Sequence, residues 1–170
     1  MNNQKIWLSS PHMGGTELNY IHEAFDTNWI APLGTNITEF EHDLEKYLSQ
    51  DLFVTALSSA TAAIHLGLIL LGVKTGDVVI CQSLTFSASA NPILYQGATP
   101  VFIDSELETW NLCPVALETA IVDCIYKGQI PKAIITVHLY GVPYQIEEVR
   151  AVANKYNIPI LEDSAEALGS

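Results

Sequence analysis

The sequence predicts an α/β fold, a mostly parallel sheet with flanking helices, and three observations carry that prediction. From residue 53 onward, short apolar runs alternate with longer stretches of helical periodicity, the pattern of strands joined by crossover helices. The runs are continuous rather than alternating, as in strands buried on both faces. The last run, residues 158–161, is followed at once by two carboxylates, Glu162 and Asp163, and then by small residues up to Gly169. In open α/β sheets ligands bind beyond the carboxyl ends of the strands, so acids placed there mark a candidate site.

Ahead of the sheet, Gly14 and Gly15 break the chain, and Thr16 suits the cap of a helix with Leu18, Ile21 and Phe25 on its apolar face. Residues 28–34 read as a loop. A second helix follows, with Thr38 and Glu41 at capping-box spacing and Phe40, Leu44, Tyr47 and Leu48 in one stripe. Residues 53–57 are expected to form the first short strand, after which an apolar helix runs through Leu71. Gly76 and Asp77 turn the chain into a strand at 78–81, followed by a helix over 87–95 and a strand at 101–103. Pro114 suits a helix start, and Leu117, Ile121, Cys124 and Ile125 mark the face that helix buries. A strand at 133–137 leads into the loop His138, Leu139, Tyr140 and Gly141. The last helix turns Ile146, Val149 and Ala153 to the core before the closing strand at 158–161.

The sheet stops at a strand's carboxyl end with no helix after it. The expectation is a chain cut short, with residues 1–52 an N-terminal helical segment and residues 53–170 an incomplete large domain.

Composition narrows the function. Of 170 residues, 49% are hydrophobic and only 15% charged, so the chain is globular and some surface is expected to be covered by further chain or a partner. A net charge of −12, from 7 Lys+Arg against 19 Asp+Glu, argues against nucleic-acid binding, which depends on cations at phosphate. An anionic small ligand remains open, because helix-start amides hold phosphate without a basic patch. The three cysteines form no CxxC pair, so neither a zinc site nor a disulfide framework is suggested, and no metal is expected. No apolar run is long enough to span a bilayer. A reduced, cytoplasmic setting is expected.

Three further stretches could carry chemistry. In Ser58, Ser59, Ala60 and Thr61, small residues admit a ligand to the backbone, and the first helical turn offers amides and a favourable dipole. Ser59 reads equally well as a plain helix cap. Phe86, just past a strand, can stack on a flat ring or fill the core. His138, at the end of the next strand, reads more readily as structural than as an acid or base. For Asp163, the alternatives are a cap for the next turn and a partner for a pyridine nitrogen, as pyridoxal phosphate (PLP) chemistry requires. Neither GxGxxG nor GxxxxGK occurs.

Taken in order, Ser10-Pro11-His12-Met13-Gly14-Gly15, Ala31-Pro32-Leu33-Gly34, Phe40-Glu41, Ser59-Ala60-Thr61-Ala62-Ala63, His138-Leu139-Tyr140-Gly141 and Glu162-Asp163-Ser164-Ala165-Glu166-Ala167-Leu168-Gly169-Ser170 resemble the PLP-dependent sugar aminotransferases of the DegT/DnrJ/StrS type. The resemblance covers essentially the whole chain. It is strongest to enzymes that aminate C4 of a UDP-linked 4-keto-6-deoxy sugar on the route to bacillosamine-like sugars.

It implies the N-terminal part of the large domain of the aspartate aminotransferase-like (type I) fold, L-glutamate as amino donor, and a homodimer when intact. It further implies that Ser59, Ala60 and Thr61 hold the cofactor phosphate, Phe86 stacks on the ring, Asp163 pairs with the ring nitrogen and Ala165 packs beneath it. Glu166 falls near the ring hydroxyl, where relatives often carry Gln or His. Trp29, Ile30, Ala31 and Pro32 would lie near the sugar.

The family's cofactor-bearing lysine comes later than the acidic motif, and Lys5, Lys46, Lys74, Lys127, Lys132 and Lys155 do not match it. The small C-terminal domain would be absent, and residues 1–170 alone inactive. Two alternatives accompany this reading. One is a non-catalytic remnant or a fragment that depends on a partner. The other is a PLP-dependent sugar dehydratase, in which histidine replaces that lysine.

Overall fold

Residues 5, 7, 10–48 and 51–170 are described by the structure, a computed structural model, and they fall into two units, 1–56 and 57–170. The first unit holds α1 (Glu17–Asp26) and α2 (Thr35–Leu48). Thr16 sits at the N-cap of α1 without a side-chain cap bond; the Glu17 carboxylate instead accepts the Gly14 and Gly15 amides.

Thr38 does not cap α2. The helix starts three residues earlier, and the Gly34 carbonyl accepts the amides of Ile37 and Thr38. Glu41 is thereby released from the capping role its spacing suggested. Neither helix buries a residue within its unit, so the stripes carrying Phe25 and Phe40 are exposed there.

The strand expected at 53–57 does not form. A strand needs a neighbouring strand for its amides. Here the Val54 amide donates to Glu45 Oε1 (3.1 Å) and the Ala56 amide to Glu41 Oε1 (2.7 Å), so α2's carboxylates take their place.

The second unit is an α/β layer structure. In chain order it contains α3 (Ala60–Leu70), β1 (Val78–Gln82), α4 (Ser87–Tyr95), β2 (Thr99–Ile103), α5 (Pro114–Tyr126), β3 (Ala133–Val137), a 3₁₀ turn (Leu139–Gly141), α6 (Ile146–Tyr156) and β4 (Ile160–Asp163). The four strands are parallel and ordered β2-β1-β3-β4.

Alternate residues of each strand face opposite ways. Ile80 and Ile134 join Leu117, Ile121, Val149 and Ala153, so α5 and α6 cover one face. Val79, Cys81, Ala133 and Ile135 join Ile64, Leu68 and Ile93, so α3 and α4 cover the other. Both faces being covered explains why β1 and β3 read as unbroken apolar runs.

Several details differ from expectation. β2 starts two residues earlier, at Thr99, where it pairs with Val78. β4 starts at Ile160, because the Pro159 carbonyl already bonds the Ile134 amide while Ile158 packs into the core. Its last two residues are therefore Glu162 and Asp163, which pair with Thr136 and Val137. In α5, Ile125 lies at the exposed rim of the stripe that Leu117, Ile121 and Cys124 bury.

Candidate active site

The helices on opposite faces follow from chain direction. From β1 the chain crosses through α4 to β2 on one side; from β3 it crosses through α6 to β4 on the other. Right-handed crossovers in opposite directions place their helices on opposite faces. The order reverses between β1 and β3, and such a reversal opens a crevice at the strands' carboxyl ends.

A cleft lies there. Thr85 and Phe86 line it after β1, Val137 and His138 at the end of β3, and Asp163, Ala165 and Glu166 at and after β4. Ala60, the first residue of α3, and Ala88 of α4 complete the lining.

The start of α3 leaves backbone amides open. Ser59 is extended (φ −168°, ψ 160°) and its hydroxyl accepts the Ala62 amide at 3.2 Å, while its carbonyl accepts that of Ala63. The amides of Ala60 and Thr61 precede any intrahelical acceptor, so they remain available to a ligand. Ser59 is thus a helix cap, and that role leaves its neighbours' donors open.

Asp163 is buried, 8% exposed. Its Oδ2 accepts the Ser89 hydroxyl at 2.6 Å and its Oδ1 the Ala165 amide at 3.3 Å. Among the described residues no lysine, arginine or histidine forms an ion pair with it. A buried carboxylate that lines a cleft and lacks a cation is suited to a cationic or N–H-bearing ligand. Phe86 stands exposed at the mouth.

Glu166 spends one oxygen within the protein. Its Oε2 accepts the Tyr140 amide at 2.7 Å, holding Tyr140 in a left-handed conformation (φ 53°). His138, also in the lining, keeps its Nδ1 buried without a hydrogen-bond partner among the described residues. Its ring tilts on Tyr144 with centroids 4.9 Å apart, and Nε2 lies 3.8 Å from Glu162. Tyr144 donates its hydroxyl to Glu162 Oε1 (2.7 Å); burial, then that carboxylate, pushes the phenol up to about 12.

Beneath the loops lies a polar pair that the sequence reading passed over. Gln82, wholly buried at the end of β1, donates to the Leu84 carbonyl (2.8 Å) and accepts the Val137 amide (3.2 Å). Asn111 accepts the Leu139 amide (3.0 Å) and donates to the Val142 carbonyl (2.9 Å). A glutamine ending an apolar strand was the available signal.

A match to the DegT/DnrJ/EryC1/StrS aminotransferase family runs over residues 11–170. The chain belongs to that family. Among its relatives, the Bacillus subtilis (strain 168) protein named as the pyridoxal phosphate-dependent aminotransferase EpsN is 52% identical, over 98% of this chain and 43% of that protein. GDP-perosamine synthase of Escherichia coli O157:H7 is 40% identical, over 97% of this chain and 43% of that enzyme. The chain thus spans less than half the length of these relatives.

Among solved structures, the PLP form of the Streptococcus pneumoniae sugar aminotransferase Spr1654 superposes with a TM-score of 0.85 at 31% identity, over 98% of this chain and 44% of that one. NtdA of Bacillus subtilis, solved with bound PMP, gives 0.80 at 34% identity, over 89% and 33%.

Of the residues the DegT-type resemblance singled out, the fold brings Ala60, Phe86, Asp163, Ala165 and Glu166 to one cleft, with Ser59 and Thr61 flanking Ala60 at the helix start. Trp29, Ile30, Ala31 and Pro32 belong to the first unit. There Trp29, Ile30 and Ala31 line a separate hollow with Leu33 and Gly34, and Pro32 is not part of its lining. Gly34 is required at that point: a Cβ there would lie 2.0 Å from the Trp29 indole, and φ is +136°. Among the described residues no cluster could hold a metal ion, and no helix is long and apolar enough to cross a membrane.

Proposed function

We propose that the whole protein to which these residues belong transfers an amino group from L-glutamate to C4 of a UDP-linked 4-keto-6-deoxy sugar, with pyridoxal phosphate as cofactor, in the synthesis of a surface-glycan precursor. The observation that carries the reading is Asp163, a buried carboxylate without a cation, set at the mouth of a parallel sheet and held by a hydroxyl and an amide. The protein side of the cleft fits this cofactor: an acceptor for a ring N–H, open helix-start amides for a phosphate, and an aromatic face between them in chain order.

When bound, pyridoxal phosphate supplies an electron sink. The chain's own residues do the rest. Ala60 and Thr61 receive the phosphate on their amides, with Ser59 fixing the helix start. Phe86 covers one face of the ring, and Ala165 leaves room beneath it. Asp163 accepts the ring N–H and keeps that proton in place. Glu166 faces the ring hydroxyl with the oxygen that Tyr140 does not use.

In this reading residues 53–170 form part of the cofactor-binding large domain and residues 1–52 a helical segment before it. Trp29 to Pro32 contact the sugar, the protein works as a homodimer, and its setting is the cytoplasm. The family assignment supports the aminotransferase chemistry. The UDP carrier is our own choice against the GDP carrier in the name of the Escherichia coli relative.

The test is amino transfer by the whole protein from L-glutamate to UDP- and GDP-linked 4-keto-6-deoxy sugars, with wild type beside Asp163→Ala. Transfer to the UDP sugar that falls at least a hundredfold in the variant is expected, because general losses at such a proton-holding group are of that order. Transfer to GDP sugars alone would overturn the carrier, and no transfer to either would overturn the activity.

A further inference from the structure

Ser89 is the third residue of α4 and is fully buried. A serine inside a helix ordinarily points its hydroxyl at solvent or back at the carbonyl four residues earlier. This one does neither: its Oγ lies 2.6 Å from Asp163 Oδ2, across 74 residues of sequence, and 2.8 Å from the Thr85 hydroxyl.

We propose that Ser89 is a positioning residue that fixes the rotation of the Asp163 carboxylate toward the cofactor's ring nitrogen, and that Thr85 sets the direction of Ser89's proton. The inference rests on the cofactor reading above and deepens it.

Counting protons gives the direction. An ionised carboxylate only accepts, so the single Ser89 proton goes to Oδ2. The Ser89 oxygen then has only lone pairs to offer, and Thr85 must donate its own proton to it. The chain therefore runs one way, Thr85 to Ser89 to Asp163, and each bond polarises the next in the buried setting. With the Ala165 amide on Oδ1, each carboxylate oxygen has one donor from the protein. Two donors on different elements, α4 and the turn after β4, stop the carboxylate from turning. The remaining lone pairs face whatever N–H enters the cleft.

Thr85 and its neighbour Phe86 both line that cleft. The segment that supplies an aromatic face for the ring thus also supplies the first proton of the relay.

The test uses the whole natural protein and reads cofactor binding rather than turnover. Wild type, Ser89→Ala, Ser89→Thr and Thr85→Val are titrated with pyridoxal phosphate, and the visible absorption band of the bound cofactor is recorded for each. Ser89→Ala is expected to raise the dissociation constant about tenfold, the scale of one lost hydrogen bond to a charged group, and to shift the band. Ser89→Thr keeps the hydroxyl and should restore both. Thr85→Val, which leaves Ser89 in place, should weaken binding about threefold, as loss of a neutral hydrogen bond would.

Wild-type affinity and band in Ser89→Ala overturn the proposal. If Ser89→Ala does not fold, wild-type values in Thr85→Val overturn it instead. A wild-type protein that binds no pyridoxal phosphate overturns the cofactor reading itself, a result distinct from either.

Discussion

The side chain of Leu161 occupies the place that a side chain on Gly67 would need. A Cβ at Gly67 would lie 2.9 and 3.1 Å from the two Leu161 methyl carbons, so α3 runs directly against β4. One element carries the open amides of Ala60 and Thr61 at its start, and the other carries Asp163 at its end. The Gly67–Leu161 contact therefore gauges the span between the two ends of the cleft.

Gly67→Ala should reveal that gauge. Overpacking costs about 1–3 kcal/mol while replacing a helical glycine returns up to about 1 kcal/mol, so a small net loss is expected. The sharper reading is the double mutant. Leu161→Ala should make Gly67→Ala harmless, giving a coupling above about 0.5 kcal/mol in denaturant melts. Additive losses would mean that the two residues do not press on one another.

Gly141 has less room to yield. Its φ is +80°, and a Cβ there would meet the Glu166 backbone oxygen at 2.9 Å. Backbone cannot swing aside as a leucine methyl can. Gly141→Ala should cost about 1–3 kcal/mol and weaken pyridoxal phosphate binding, because Glu166 and the Tyr140 amide are displaced together. A titration matching wild type would show that the turn is not coupled to the cleft.

Alkali should loosen the second unit from within. Burial, then the Asp163 charge, pushes the Cys81 thiol up to about 12 from its usual 9.0; burial, then Glu162, moves Tyr144 up to about 12 from 10.0. Both groups are held neutral in the fold and ionise earlier when unfolded. Their contribution is thus complete below about pH 9 and is lost as pH rises toward 12. Urea melts from pH 8 to 11 should show a falling midpoint, and Cys81→Ala should flatten the early part of the fall. The same burial predicts that iodoacetamide at pH 7.5 labels Cys113, which is partly exposed, before Cys81 or Cys124.

In the first unit the dependence has the opposite sign. The Val54 amide, then His42, holds the Glu45 carboxyl below its usual range. That support is present above the ordinary carboxylate pKa and fades as pH falls through the lowered value. Hydrogen-exchange protection at Val54 should therefore drop in acid and be missing in Glu45→Ala, which removes the acceptor, at neutral pH. Unchanged protection in the variant would place the donor's partner elsewhere.

The sheet and its helices were legible because β1 and β3 are buried on both faces and so read as continuous apolar runs. The helix over Ser87–Tyr95 and the strand Ala133–Val137 fall at the expected bounds. Residues 53–57 misled because an extended apolar stretch looks the same whether its amides meet a strand or the carboxylates of Glu41 and Glu45.

The cleft's aromatic and acid stood out at strand ends, where topology places ligands. Ser89 did not. A hydroxyl in the first turn of a helix gives no sign of an acid 74 residues away. Gln82 was visible as a polar end to an apolar run, but the loop amides and carbonyls that it satisfies are set by tertiary structure alone.

Asp163 sits on β4, an edge strand in this sheet that pairs only with β3. During synthesis the helix start at Ser59 leaves the ribosome 104 residues ahead of it and the aromatic at Phe86 77 residues ahead, and non-local pairings of this kind close late in folding. On the proposed cofactor reading, the nascent chain carries a phosphate seat and a ring platform before it has an acid to complete them. Cofactor capture would mark the moment at which β4 joins the sheet, so the vitamin-derived ligand could serve as a folding reporter as well as a reagent.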